Sequence, residues 1–201
     1  MKIENIILGI LILLLLGCGG KAETKNLEFE KVIESLNSND DKRGFLEKVY
    51  EEDQKVRDGS KDAELMLKYG KDSKEHMEYI QAQWKQDEIN LNKVEKYIEK
   101  FGYPKKKELG KDAAIAPWIV IHHSTDTAIR NRNFEILYKA YLAEDIDDTA
   151  MSLYLGRTYE FTFRERFRME NPYRSEDEIN QLIKKLGLEK RKANVQKSIQ
   201  R

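Results

Sequence analysis

From Met77 to Phe101, the residues Met77, Ile80, Trp84, Asp87, Leu91, Val94, Ile98 and Phe101 follow one another in unbroken steps of three and four. That rhythm puts all eight on one face of a 3.6-residue helix, a rod about seven turns long with a nearly continuous apolar stripe. Gly102 tolerates the left-handed backbone that ends a helix and Pro104 blocks its continuation, so the end is expected near residue 101. An aspartate in the seam and flanks without a matching partner helix argue against a coiled coil. The stripe must therefore be covered by other helices of the same chain. The length of 201 residues suits one domain, and 40% hydrophobic residues, with ten Tyr, seven Phe and two Trp, can supply its core.

Shorter patterns supply the covering elements. Residues 44–57 place Leu46, Val49, Tyr50, Asp53 and Arg57 on one helical stripe. Residues 113–123 are apolar nearly all round, as in a central buried helix, with Pro117 expected in its first turn. The β-branched run Ile119–Ile121 leaves a short buried strand as the alternative. Residues 133–143 carry Phe134, Leu137, Tyr138, Tyr141 and Leu142 on one face, and Asp147 or Asp148 can cap a further helix running to about Tyr159. From Tyr159 to Met169 aromatic and apolar residues alternate with Glu160, Thr162, Arg164, Arg166 and Arg168, which reads as extended, although Phe163 and Phe167 also fit one helical turn apart. Ser175-Glu176-Asp177-Glu178 has the form of a capping box opening a last helix that Gly187 closes. The expected fold is mainly α: a compact, bundle-like helical single domain with a short β-hairpin or extended segment near 159–169.

The N-terminus carries an address. Eleven apolar residues, Ile6–Leu16, follow a short basic start and end in Leu15-Leu16-Gly17-Cys18. The run is too short to span a membrane, which takes about 20 apolar residues, and has the form of a secretory signal. Leu-Leu-Gly-Cys resembles the bacterial lipobox, whose cysteine is lipidated and becomes the first residue after cleavage. Each buried acyl methylene contributes about 0.8 kcal/mol, so two or three chains hold firmly. The expected organisation is a signal peptide over 1–17, lipidated Cys18 with a tether and short helix to residue 43, a helical domain over 44–188 and a basic tail over 189–201. The implied location is the bacterial cell envelope, outside the cytoplasm, with the membrane as partner through the lipid.

Charge and cysteine content exclude other classes. Lys+Arg and Asp+Glu number 36 each, so the chain as a whole seeks neither polyanions nor polycations. Residues 150–201 hold 12 basic against 7 acidic groups, and residues 18–149 hold 23 against 28. Arginines between aromatics in 159–169 have the make-up of a single-strand nucleic-acid binder, but balanced charge and an export signal point away from nucleic acid. One cysteine excludes an intrachain disulfide, and three histidines leave little room for structural zinc. No cofactor motif is present.

Polar residues that interrupt apolar stripes mark the candidate site, because burying them unpaired costs a few kcal/mol each. Asp87 lies in the long seam with Asn90 on the adjoining face. Asp53 and Arg57 are spaced to pair, and His122 and His123 end the most apolar segment. A buried Asp–Arg–His–Asn network would satisfy them all. It could fix the register of the helices, or line a pocket with His123 as general acid or base oriented by a carboxylate. No nucleophile completes a triad, since Cys18 is lipidated and Ser124 lacks an elbow motif. A metal held by His122 or His123 with Asp126 and Asp87 is disfavoured, because adjacent helical side chains diverge by about 100°.

Glu52-Asp53-Gln54-Lys55-Val56-Arg57, Asp87-x-x-Asn90, Gly102-Tyr103-Pro104, and Gly110 followed by Trp118 and His123 resemble the bacterial domain-of-unknown-function family DUF6624 over about residues 44–188. Its members run D-Q-x-x-R, D-x-x-N, G-W-P, then V-G and A-W-L-I-V-Q-H; Leu186-Gly187-Leu188 matches a late R-x-x-G-L element. The resemblance implies functional positions at Asp53, Arg57, Asp87, Asn90 and His123, and makes Trp118 and Arg157 candidate binding residues; the family's chemistry is unassigned. His122 stands where the family usually has Gln. Gly156-Arg157 keeps the Arg of the family's Asp-Arg but not the Asp, and the following Tyr-Gly-Thr-Gln pattern is absent, so the resemblance also allows a divergent or inactive member. Two functions are thus expected as alternatives: a binding or structural lipoprotein, or a hydrolase-like enzyme using His123 with Asp87, Asp53 and Arg57.

Overall fold

The computed structural model describes residues 29–169 and 174–200, so the signal segment, Cys18 and most of the tether lie outside the described residues. Residues 29–36, helical over 29–35, belong to a separate unit from the main one. The main unit begins at Asn37. Its helices are α1 (Asn39–Lys55), α2 (Gly59–Tyr69), α3 (Lys74–Phe101), α4 (Lys106–Leu109), α5 (Lys111–His123), α6 (Thr127–Leu142), α7 (Asp148–Phe163), α8 (Ser175–Lys185) and α9 (Glu189–Ile199). Among the described residues there is no strand, and no helix is long and apolar enough to cross a membrane.

The all-round apolar α5 is the hub. It packs against α1, α3, α4, α6 and α7, and buries Ala113, Ala114, Ala116, Pro117, Trp118, Val120 and Ile121. Three alanines in its first half let the backbones of neighbouring helices approach closely. Trp118 is buried, donates its indole N–H to the Ala150 carbonyl at 2.8 Å, and stacks on His122 with ring centroids 4.9 Å apart. Phe134, Leu137 and Tyr138 of α6 and Met151, Tyr154 and Leu155 of α7 complete the core beside it. On the far side, α8 adds Ile179, Leu182 and Ile183.

Several sequence expectations need correction. The segment 159–169 is helical only to Phe163, with Tyr159 and Phe163 packed one turn apart at 4.7 Å between centroids; residues 164–169 are non-helical, and Phe167 packs back on Tyr159 at 5.5 Å. Arg164, at φ +61°, ends that helix. Pro117 sits mid-helix rather than in the first turn, since α5 begins at Lys111. Ser175 is already helical and makes no cap; the Glu178 carboxylate, expected to close the box, accepts from the Ser152 hydroxyl of α7 instead. The basic residues 189–199 form α9, which is mostly exposed and buries Val195.

The long helix α3 ends at Phe101 as expected, with Gly102 at φ +76°. Its buried face is rotated by one residue: His76, Asn90, Val94 and Tyr97 are buried, while Trp84 is 58% exposed. A stripe in one-dimensional sequence locates a helical face only to within about one residue, or 100°, and here the neighbours decide. Asp53 and Asn90 are both fully buried.

Candidate functional site

Three helices converge on one cluster. The last turn of α1 brings Asp53, with Arg57 just beyond it; the middle of α3 brings Asp87; the C-terminal residue of α5 is His123. The Arg57 guanidinium is the common partner. It donates from Nε to His123 Nδ1 at 2.8 Å, and from Nη2 to Asp53 Oδ1 at 3.3 Å and to Asp87 Oδ1. Asp53 Oδ1 also lies 3.0 Å from His123 Nδ1, and Gln54 Nε2 donates to Asp53 Oδ2 at 2.8 Å. Four of the residues singled out in the sequence, from positions 53 to 123, therefore meet.

Burial is graded across the cluster. The Asp53 side chain is 1% exposed, whereas those of His123, Arg57 and Asp87 are 17%, 21% and 23% exposed. The three outer groups line an open groove of about 550 Å³, with Trp84, Leu91 and Arg157 among the other walls. The carboxylate at the back is dry and the imidazole in front of it is wet. This is the arrangement of an oriented base: a buried acceptor holds one ring nitrogen, and the other is left for chemistry.

His123 Nδ1 has two partners that make opposite demands. A guanidinium can only donate, so the contact with Arg57 needs a lone pair on Nδ1; a carboxylate can only accept, so the contact with Asp53 needs a proton there. Both cannot be satisfied at once in the neutral ring. With the proton on Nδ1, the buried Asp53 charge is answered and the free lone pair lies on Nε2. With the proton on Nε2, the ring can donate from that atom. The two states differ by one proton position at a fixed heavy-atom geometry, so the site can serve as acceptor or donor.

The two carboxyls are driven apart. Burial acts to raise the Asp53 carboxyl, but the hydrogen bond and charge of His123, together with Arg57, outweigh it and hold the group below the usual aspartate value. The Asp87 carboxyl is raised, by burial first and by the neighbouring Asp53 charge, against the pull of Arg57. A pair of acids with diverging tendencies is a common mark of divided acid and base roles. Asp53 remains the fixed anion, and Asp87 is the one that takes up a proton first.

The remaining candidates fall elsewhere. Asn90 is fully buried but outside the four-way cluster: its side-chain oxygen accepts from Gln86 Nε2 at 2.8 Å, and its Nδ2 is buried without a hydrogen-bond partner. The expected Asp–Arg–His–Asn network thus lacks its asparagine, because the one-residue rotation of α3 turns Asn90 toward the interior. His122 points away from His123's partners. Its ring is stacked on Trp118, Arg157 Nη1 approaches its Nε2 at 3.5 Å, and its Nδ1 is buried and unpartnered. Burial, then the positive charges of Arg130 and Arg157, push the His122 imidazole down to about 3, so it is neutral. Among the described residues, no three His, Cys, Asp or Glu side chains are placed to hold a metal ion.

One residue that positions the site went unread in the sequence. Arg130 is wholly buried, yet its guanidinium meets oxygens of carbonyls and a hydroxyl rather than a carboxylate. It donates to Thr158 Oγ1 at 2.8 Å, to the carbonyls of His122, Ser124 and Ile121 at 2.6, 3.0 and 3.4 Å, and to that of Tyr154 at 2.6 Å. Ile121, His122 and Ser124 form the C-terminal end of α5, where unpaired carbonyls accumulate negative charge. Arg130 caps that end internally and so fixes the peptide that carries His123. The available signal was its place one turn ahead of Phe134 on the apolar face of α6.

Comparisons with known protein families, with curated proteins and with solved structures find no match to this chain.

Proposed function

We propose that this chain is a lipid-anchored, extracytoplasmic bacterial protein whose helical domain carries an acid–base site of hydrolase-like type, with His123 as the proton-transferring group. Asp53 orients the ring, Arg57 ties the cluster together, and Asp87 is the second titrating group at the groove. The observation that carries this reading is the gradient from dry Asp53 to groove-lining His123. A network whose only task was to set helix register would gain nothing by opening onto a groove, and would hold its members more tightly if fully enclosed. The envelope location rests on the apolar run, Leu-Leu-Gly-Cys18 and the polar residues that follow; the resemblance to DUF6624 drawn from the sequence motifs implies functional positions at these four residues and at Asn90.

Diethyl pyrocarbonate, which acylates accessible neutral imidazole nitrogens, tests the site directly. His123 should be labelled first, ahead of His122, which is half-buried and stacked, and His76, whose two nitrogens are both hydrogen-bonded. His123→Ala should remove that label and leave the melting temperature within a few degrees. Labelling of His123 no faster than the other two, together with a large loss of stability in His123→Ala, would overturn the acid–base reading in favour of a structural network. For the anchor, Cys18→Ser should abolish incorporation of a fatty-acid label and release the protein from the membrane fraction.

A further inference from the structure

Arg157 is set apart from three other cations around the site and core. Arg57 has two carboxylates, Lys93 has Glu52, and Arg130 has its cage of carbonyls. Among the described residues Arg157 has no ion pair; its one hydrogen bond runs from Nη1 to the neutral His122 ring, and its guanidinium lies 5.3 Å above the centre of the Phe161 ring. Among the described residues the Nε–H and both N–H groups of Nη2 have no hydrogen-bond acceptor, and these form an edge suited to a planar or tetrahedral oxyanion.

Glu160 and Asp87 act on Arg157 through their charge, but among the described residues no carboxylate forms an ion pair with it. Arg157 lines the His123 groove and also a second groove of about 460 Å³, whose acids are Glu160 and Glu178. Glu178 accepts from Ser152, and Glu160 lies 3.6 Å from Arg166, another wall of the second groove. Burial first, then the positive charge of Arg57, act against the charged form of Arg157 and outweigh the opposing pull of Glu160 and Asp87. A half-buried cation kept in this condition gains most from an incoming negative charge.

We propose that Arg157 is the anchor for a compact oxyanion, a carboxylate or phosphate group, on the ligand of this domain. Phe161 backs the guanidinium, Arg166 adds positive charge on the second-groove side, and the rest of the ligand extends along the first groove to His123. This assignment deepens the acid–base reading, on which it rests, by naming the chemical class of its substrate. The anion itself is held without any covalent step.

Melting of the whole purified protein and of Arg157→Gln, in potassium phosphate and potassium acetate against potassium chloride at matched ionic strength, tests the proposal. The expected result is a saturable rise in the melting temperature of the wild type with phosphate, acetate or both, lost in Arg157→Gln. The two salts distinguish a phosphate site from a carboxylate site. Without added oxyanion, the variant should melt within about 4 °C of the wild type or above it, since a destabilised cation has been removed. An equal rise in both proteins, no saturable rise in the wild type with either anion, or a larger loss in the variant alone would overturn it. Any of these would leave the labelling of His123 unchanged, so failure of the anchor and failure of the acid–base site are separately visible.

Discussion

Replacing Arg130 with methionine removes a cap at the centre of the fold while keeping most of the side-chain length. The Tyr154 carbonyl and Thr158 hydroxyl keep each other, 2.7 Å apart, and the Ile121 carbonyl keeps the Ser124 amide at 3.3 Å. The His122 and Ser124 carbonyls lose the only donor they have among the described residues. Two half-buried acceptors left unpaired cost about 1 kcal/mol each, the lower end for such groups, and loss of a cation at a helix C-terminus adds about 0.3–1 kcal/mol. Against this stands the cost of burying a guanidinium, which burial pushes down to about 10, still charged at neutral pH. The net expectation is a loss of about 2 kcal/mol, or roughly 4–8 °C in melting temperature for a domain of this size. Arg130→Lys, which keeps the charge but cannot fork to three carbonyls, should fall between. Urea titration followed by circular dichroism measures the loss. Hydrogen exchange should quicken first in the last turn of α5, around His122–Ser124. A variant melting within about 2 °C of the wild type would refute the capping role and the idea that it positions His123.

Asp53→Ala should cost about 3 kcal/mol, because it opens a dry cavity and takes the buried carboxylate from His123 while Arg57 keeps only Asp87, whereas Asp87→Ala at the groove should cost under about 1 kcal/mol; equal losses in a denaturation series would contradict the burial gradient. With its folded value lowered, Asp53 contributes stability that is present above 3.8 and lost as pH falls below it through the folded value, so Asp53→Asn should flatten the acid limb of a pH–stability curve. His76 behaves in the opposite sense. The Lys71 carbonyl and the Asp62 carboxylate hold its two nitrogens and raise it, so the stability it contributes is complete below 6.5 and lost as pH rises through the raised value. Amide exchange in α2 should therefore accelerate on the alkaline side, and His76→Gln should remove that dependence. Gly110 at φ +88°, ψ 171° joins α4 to α5 in backbone that side chains rarely adopt, so Gly110→Ala should cost about 1–3 kcal/mol in a thermal melt.

Residue types and spacings were enough for the class of fold and for most of the site. The stripe of α3, the apolar run of α5 and the pair Asp53–Arg57 are local patterns, and a helix converts spacings of three and four into a shared face whatever surrounds it. Polar groups on such faces must find partners, which is why spacing and residue type suffice to pick out Asp53, Arg57, Asp87 and His123. The aromatic run from Tyr159 shows the limit. Its residues fit both a period of two and a period of four, and the structure divides them: Tyr159 and Phe163 pack within the helix, while Phe167, beyond its end, packs back on Tyr159.

What tertiary structure alone decided is rotation, partnership and exposure. It turned α3 by one residue, taking Asn90 into the interior and Trp84 out to the groove. It gave Arg130 carbonyls in place of a carboxylate, and left Arg157 without one. It set Asp53 in the dry interior and His123 at the water's edge, a difference in dielectric surroundings that composition does not carry. Secondary structure follows from interactions between residues a few positions apart, while the depth of a side chain depends on helices that arrive from 30 to 70 residues away, as Asp87 and His123 do at Asp53 and Arg57.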